Sequence, residues 1–269
     1  MSVPAYLQQT PYFLRITGVT DVQQVIDGLK GGSGPVGLAG WTNPSGDIIR
    51  MPTNSVGQYL QLELTRESAT ILNGFLRDDL GVATVSGEMH ISGTVTVDCF
   101  FGAGYLHMQT SAATTEFMGI YLLTLAPEAQ DAHRGYGFFQ AYRNSTGGTG
   151  QSTSIKGIPW SFSLNAYSTN LAEDSVQIFN TNEYPTNVLF HQTGQGFRRW
   201  FPMIIWAANA PGTFKVMNGR VPNMLLMNSA VATPGSTIVI PIDEATTRSF
   251  RVLGMVNVNP AYRAAIMVP

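Results

Sequence analysis

The sequence predicts a mainly β protein built from antiparallel sandwich-like or barrel-like domains with one or two short helices. The first supporting observation is a period of two, because Leu60, Leu62 and Leu64 alternate with polar residues as in a half-buried strand. The second is the regular spacing of short apolar runs and turn sequences in the second half of the chain. The third is the supply of turn formers, with 28 Gly and 15 Pro among 269 residues.

One short amphipathic helix is expected near residues 21–30. Apolar residues recur there at the spacing of one helical face, at Val22, Val25, Ile26 and Leu29. Thr20 precedes this segment and is expected to cap the helix. The glycine-rich run that leads to Pro35 is expected to end it.

Several further segments of the first half are expected to be strands. Residues 71–76 fit either a strand or a short turn of helix. Apolar residues of one parity run from Met89 to Cys99 with an interruption near Gly93, which predicts two strands or one bulged strand. Other strands are expected at 105–109, 117–125 and 135–142, and a short helix at 128–133.

The second half reads as a series of short strands. They are expected at 160–166, 176–179, 187–190, 201–207, 214–217, 223–227, 237–240, 249–258 and 263–268. The pair Asn218-Gly219 is a strong hairpin signal, and residues 209–212 also form a good turn sequence.

A polar, glycine-rich run divides the chain. It predicts an N-terminal β-rich domain at 1–143, a linker or long loop at 144–157, and a C-terminal antiparallel β-sandwich domain at 158–269. The alternative is a long surface loop within one domain.

The charge content is the most informative total. Asp, Glu, Lys and Arg make up 12% of the residues, about half of the ~25% in a typical soluble domain. Asn, Gln, Ser and Thr supply the remaining polarity, and they enter an interface without the desolvation of a full charge. We therefore expect neighbouring proteins to cover much of the surface, although a sandwich with a neutral surface fits as well. With a net charge of −2 and no basic stripe, nucleic acid is not an expected partner.

Catalytic and metal-binding patterns are not found in the sequence. The four histidines, at positions 90, 107, 133 and 191, have no metal-ligand spacing, and one cysteine, Cys99, cannot form a thiolate zinc cluster. Cys99 lies in an apolar strand pattern and is expected to be buried and inert. The adjacent acidic pairs 78–79 and 173–174 would point to opposite faces of a strand and are expected in turns. We therefore expect no enzyme activity, no cofactor and no metal.

One segment stands out as a candidate contact loop. Phe197, Arg198, Arg199 and Trp200 follow two flexible glycines. Arginine and tryptophan are frequent at the centres of protein interfaces, which favours a contact role. The alternatives are that the aromatic side chains belong to the core, or that they form a platform for sugar rings.

Localisation signals are also not found. No basic segment followed by an apolar stretch begins the sequence, and no apolar run approaches the ~18 residues of a membrane span. These patterns predict synthesis in a cytoplasm and no insertion into a membrane.

Two stretches carry a resemblance to known proteins. The first runs from Asp21 to Leu29 and continues through Gly40-Trp41 to Ile48, and the second spans residues 196–222. Together they resemble β-rich virion proteins of tailed bacteriophages. The resemblance implies a component of the tail, baseplate, collar or capsid surface, located in the virion, and it implies no catalytic residues.

Three functions are thus expected in order of preference. The first is a structural virion subunit that forms symmetric oligomers and docks on other tail, baseplate or capsid proteins. The second is a receptor- or carbohydrate-binding module on the particle, with a host surface glycan as partner. The third is a polysaccharide hydrolase, which would need two facing carboxylates.

Overall fold

The computed structural model describes residues 3–54, 57–77, 83–111, 116–125, 137–142, 150–154, 176–178, 200–208, 215–228, 233–243, 245–253 and 262–269. Over these residues the protein is mainly β, with several antiparallel sheets that include one curled half-barrel. The predicted fold class is therefore confirmed.

Helical structure in the described residues is short, with a 3-10 helix at Ala5–Leu7, α1 at Gln23–Lys30 and α2 at Pro35–Leu38. The strands, in chain order, are β1 (Tyr12–Val19), β2 (Thr42–Ser45), β3 (Ile48–Arg50), β4 (Gln61–Ser68), β5 (Ile71–Arg77), β6 (Ala83–His90), β7 (Val95–Gly102), β8 (Tyr105–Thr110), β9 (Phe117–Leu122), β10 (Thr124–Leu125), β11 (Gly137–Tyr142), β12 (Gly150–Ser154), β13 (Val176–Ile178), β14 (Trp200–Ala208), β15 (Lys215–Asn228), β16 (Thr237–Pro241), β17 (Thr247–Val252) and β18 (Tyr262–Val268).

These strands form three sheets. Sheet 1 has the order β1-β7-β8-β9-β11-β12, and sheet 3 has the order β2-β3-β4-β5-β6. Sheet 2 has the order β13-β14-β15-β18-β17-β16, and the short strand β10 also pairs with β15. Because β10 lies between β9 and β11 of sheet 1 in the chain, its pairing with β15 links sheet 1 directly to sheet 2.

Helix α1 buries the face that the periodicity predicts. Val22, Val25, Ile26 and Leu29 are fully buried. The prediction that Thr20 caps the helix was wrong, because the residue at the cap position is Val22, which makes no side-chain capping bond. The carboxylate of Asp21 accepts the backbone N–H of Gln23 at 2.9 Å at the start of the helix.

The main core lies between sheets 1 and 3 and beneath α1. One continuous cluster of buried residues joins these elements, including Val25, Leu62, Leu76, Leu106 and Met118. The sheets approach closely at Gly74, where a Cβ atom would lie 2.4 Å from the sulfur of Met118. The indole Nε1 of Trp41 donates a hydrogen bond of 2.8 Å to the carbonyl oxygen of Gly102, which adds a polar tie within this apolar region.

The centre of sheet 1 is covered on both faces. Every residue of β8 and β9 is buried, so the side chains that point away from sheet 3 are as inaccessible as those that point towards it. The second face carries Phe100, Tyr105, His107, Phe117 and Tyr121. Buried and more exposed side chains therefore alternate along β5 of sheet 3, whereas at the centre of sheet 1 the side chains on both faces are buried.

Two ambiguous segments are settled by the strand pairing. Residues 71–76 belong to strand β5, not to a helix. The apolar series from Met89 to Cys99 contains two strands, because β6 belongs to sheet 3 and β7 to sheet 1. Gly93 lies between them with a φ of 69°, a left-handed conformation that glycine adopts without strain.

Two local expectations were wrong. Asn218-Gly219 does not form a hairpin but lies inside β15, where Gly219 pairs with Leu125. A Cβ atom on Gly219 would lie 2.8 Å from the carbonyl oxygen of Thr124, so glycine is required here by close strand contact instead of by a turn. Residues 150–154, expected in a linker or loop, form β12 and pair with β11.

Other expectations lie outside the described residues. They include the helix at 128–133, the strands at 160–166 and 187–190, and the turn at 209–212. The division of the chain into domains at 1–143 and 158–269 stays a prediction.

Candidate functional site

The predicted contact loop is described at one position only. Phe197, Arg198 and Arg199 lie outside the described residues, whereas Trp200 is the first residue of β14. Trp200 is half-buried and pairs with Met227 of β15. Its side chain packs against the apolar cluster of sheet 2, so this tryptophan lies at the margin of a core and not within one.

That cluster is completed by a distant part of the chain. Residues 3–7, which we call the docking segment, place Tyr6 and Leu7 at 7% and 1% exposure in a cleft on sheet 2. The cleft is formed by Leu225, Ile240, Phe250, Val252, Ala265 and Met267. Since β1 follows at residue 12 in sheet 1, the docking segment connects two sheets over a few residues.

The docking segment is shaped and held by polar contacts as well. The backbone N–H of Leu7 donates to the carbonyl oxygen of Pro4 at 2.8 Å, which closes the 3-10 turn. The guanidinium carbon of Arg220 lies 5.7 Å from the centre of the Tyr6 ring, within the range of a cation–π contact. The turn and the cation together set the direction in which Tyr6 enters the cleft.

A polar joint lies next to the docking segment. The side-chain nitrogen of Asn223 donates to the carbonyl oxygen of Gln9 at 2.8 Å and to the hydroxyl of Tyr105 at 3.1 Å. The side chain of Gln9 in turn accepts the backbone N–H of Gly104 at 2.8 Å. Asn223 is fully buried, so these bonds form in a region of low dielectric constant where they are strong and costly to lose.

The backbone of β15 is distorted to deliver Asn223. Its pairing with β14 shifts register between Pro202 and Ile204, as in a bulge. Asn223 has a φ of 54°, a left-handed conformation that asparagine adopts more readily than most residues. Bulges of this kind re-aim side chains, and here the amide of Asn223 is turned towards Tyr105 of sheet 1.

A second buried polar group occupies the same face of sheet 1. The hydroxyl of Tyr121 lies 2.7 Å from Nδ1 of His107. The Tyr121 side chain passes over Gly119, where a Cβ atom would clash with the hydroxyl. Burial raises the pKa of Tyr121, so the hydroxyl keeps its proton and can donate it to the imidazole. Burial lowers the pKa of His107 to about 4, with Gln109 partly opposing the shift. The histidine is therefore neutral at pH 7 and packs as an aromatic ring, stacked on Phe117.

The carboxylates of the described residues all have partners within the chain. Asp98, almost fully buried, accepts two hydrogen bonds from Arg15 and one from Ser111. The remaining contacts are Asp21 with Arg66, Asp47 with Lys30, Glu63 with Arg77, Glu88 with His90, Asp27 with Gln23, Glu67 with Asn73, Glu116 with the backbone of His90, and Asp243 with the backbone of Ala245. The hydrogen bond from Arg66 lowers the pKa of Asp21 to about 2, opposite to the shift that a catalytic acid requires.

The described residues also include one thiol and several side chains of the kinds that ligate metals. Cys99 is fully buried and burial raises the pKa of its thiol, in agreement with the expectation of an inert residue. No three His, Cys, Asp or Glu side chains in the described ranges come together in a way that could hold a metal ion. None of the helices there is long and apolar enough to span a membrane.

The sequence reasoning did not find the docking segment, Gln9 or Asn223. Residues 3–7 are too few to show a hydrophobic period. The residues of sheet 2 that this part of the chain contacts are more than 200 positions away in the sequence. Pro222 followed by Asn223 inside an apolar stretch was the available signal, because proline is unusual in a paired strand except at bulges.

Comparison of the chain with models of known protein families, and with curated proteins, finds no match.

Proposed function

We propose that the chain is a non-enzymatic structural subunit that works inside a larger protein assembly, and that this assembly is the particle of a tailed bacteriophage. The structural role is supported chiefly by the contacts that the polar side chains make within the chain. Each described carboxylate is engaged by a group of the same chain, and the amides of Gln9 and Asn223 join separate parts of the fold. A catalytic carboxylate must instead face a substrate.

An assembly is supported by the surfaces that carry no charge. The edge strands β2 and β16 contain no charged residue, all four residues of β2 are exposed, and Val239 of β16 is 61% exposed. Monomeric proteins usually place charges on exposed edges to prevent association. Pro44 and Pro241 cannot donate a backbone hydrogen bond, so these edges favour side-chain contacts with a partner over open-ended strand addition.

The phage particle is supported by the resemblance of residues 21–48 and 196–222 to virion proteins. On this proposal the partners are copies of the chain and other virion proteins, and the protein is located in the virion. The low charge content of 12% supports it further, because surfaces covered by neighbours need few charges for solubility.

Light scattering of the purified chain over a range of concentrations tests the proposal. We expect the mass to rise above the 29.1 kDa of one chain and to reach a defined multiple. A mass of one chain at every concentration, up to the highest that stays in solution, would contradict it. Incubation with bacterial surface polysaccharides should release no reducing ends, and measurable release would contradict the non-enzymatic part.

A carbohydrate-binding role is the second candidate, and the half-exposed ring of Trp200 favours it. Exposed aromatic rings stack on sugar faces, and two arginines directly precede this tryptophan in the sequence. Glycan-array binding should then be lost in Trp200→Ala but kept in Phe13→Ala, which removes a 39% exposed ring elsewhere. Equal binding by both variants, or none by the wild-type chain, would remove this candidate.

A further inference from the structure

The cleft on sheet 2 is filled by a part of the chain that is attached to a different sheet. Tyr6 and Leu7 supply two of the large apolar side chains in a small cluster, and Val3 packs at its edge. Loss of the docking segment would remove the side chains that pack on Leu225, Phe250 and their neighbours in this cluster. The cleft therefore requires an occupant, and the side chains that fit it are those of this sequence.

The tether between the docking segment and sheet 1 is short and has few anchors. Residues 8–11 span it, and Pro11 at its end disfavours a helical conformation at Thr10. The hydrogen bonds of Gln9 to Gly104 and Asn223 fix its middle. Tyr12 lies six positions after Tyr6, a reach of roughly 20 Å when extended, so a released segment can extend beyond its own cleft.

The surroundings of the cleft do not oppose the approach of another copy. Strand β16 contributes Ile238 and Ile240 to the cleft side, and its opposite side exposes Thr237, Val239 and Pro241. No charge on this strand needs to be desolvated when two such surfaces meet. Every copy carries both the docking segment and the cleft, so exchange reproduces between copies each contact that forms within one.

We propose that the cleft on sheet 2 accepts the docking segment of a second copy of the chain, and that this exchange joins subunits. The inference rests on the proposed function, because it names the contact through which the structural subunit associates. Inside one chain the docking segment closes the cleft, and at the high local concentration of a particle the same contact forms between chains. The hydrogen bonds of Gln9 to Asn223 and Gly104 must break before the segment leaves.

The first test compares the mass in solution of the wild-type chain and of the double variant Tyr6→Ser/Leu7→Ser. We expect the wild-type chain to form oligomers and the variant, with an unchanged circular dichroism spectrum, to remain a single chain. Oligomers of equal mass in both proteins would overturn the exchange but leave the proposed function intact. A wild-type chain that stays monomeric at all concentrations would overturn the proposed function and the exchange together.

The second test uses the wild-type chain and therefore does not depend on the folding of a variant. A synthetic peptide with the sequence of residues 3–11 should compete for the cleft and lower the mass of the oligomers as its concentration rises. The matched control peptide carries serine in place of Tyr6 and Leu7 and should have no effect. Oligomers that resist the first peptide, or that dissociate equally with both, would overturn the inference.

Discussion

The protein has two kinds of junction between its sheets. Sheets 1 and 3 share a continuous apolar core to which α1 and many strands contribute, and its few polar ties include the bond from Trp41 to Gly102. The described contacts that join sheet 2 to the rest include β10, the docking segment and the amide of Asn223. The first junction is an apolar core to which many elements contribute, whereas the docking segment and Asn223 join parts of the chain that are far apart in sequence.

This difference shows where the molecule can change without unfolding. Separation of sheets 1 and 3 exposes a whole core, so its free energy approaches that of global unfolding. Release of the docking segment exposes Tyr6, Leu7 and the side of the cleft that they cover, and breaks a few hydrogen bonds, which is the scale of a local opening. An exchangeable contact is therefore expected at the second junction and not at the first.

The largest effect is expected from truncation in the first junction. Leu106→Ala removes a fully buried side chain from β8 and should lower the free energy of unfolding by about 2–5 kcal/mol. The matched change Leu7→Ala should mainly increase the exchange of backbone amides in sheet 2. Urea unfolding combined with hydrogen exchange distinguishes the two, and a uniform loss of protection in Leu7→Ala would contradict the comparison.

Acid should weaken the buried face of sheet 1. The unfolded chain protonates His107 near its ordinary pKa of 6.5, whereas the folded chain does so only near 4. The unfolded state thus binds more protons in this window, and stability falls as the pH drops from about 6.5 to about 4. At ~1.4 kcal/mol per unit, the contribution is at most about 3 kcal/mol.

Urea unfolding of the wild-type chain and of His107→Gln between pH 7 and pH 4 measures this effect. The variant should lose that part of the pH dependence, since a glutamine does not titrate. An identical slope in both proteins would show that other groups cause it.

A smaller effect is expected at the polar joint. Asn223→Ala removes the hydrogen bonds to Gln9 and Tyr105 and should cost about 1–3 kcal/mol. Asn223→Gly is the matched control because glycine keeps the left-handed backbone while it also lacks the amide. The alanine variant should be the less stable of the two in thermal unfolding, and the reverse order would contradict a role for the backbone conformation.

The smallest change in stability is expected on the exposed edge of sheet 2. Val239→Lys alters a side chain that is 61% exposed and should shift the free energy of unfolding by less than about 0.5 kcal/mol. It should nevertheless weaken self-association measured by light scattering, because a charge is then buried between copies. Unchanged self-association would show that this edge is not part of the contact between subunits.

The sequence was informative where neighbours in the chain are also neighbours in space. The face of α1 at Val25 and Leu29, the strand at 60–64 and the break at Gly93 all follow from local period and turn chemistry. The hairpin prediction at Asn218-Gly219 was wrong because it used local turn chemistry alone. The glycine is needed there because β10 packs closely against it within a long strand. The docking segment and Asn223 depend on contacts between distant residues, and no local pattern specifies those.

Native-state hydrogen exchange of the intact chain tests most directly whether the second junction is separable. We expect the amides of β16, β17 and β18 to exchange through an opening of lower free energy than those of β8 and β9. The peptide with the sequence of residues 3–11 should raise the protection of sheet 2 only. A single free energy of opening for β8 and β17, unchanged by the peptide, would contradict the account.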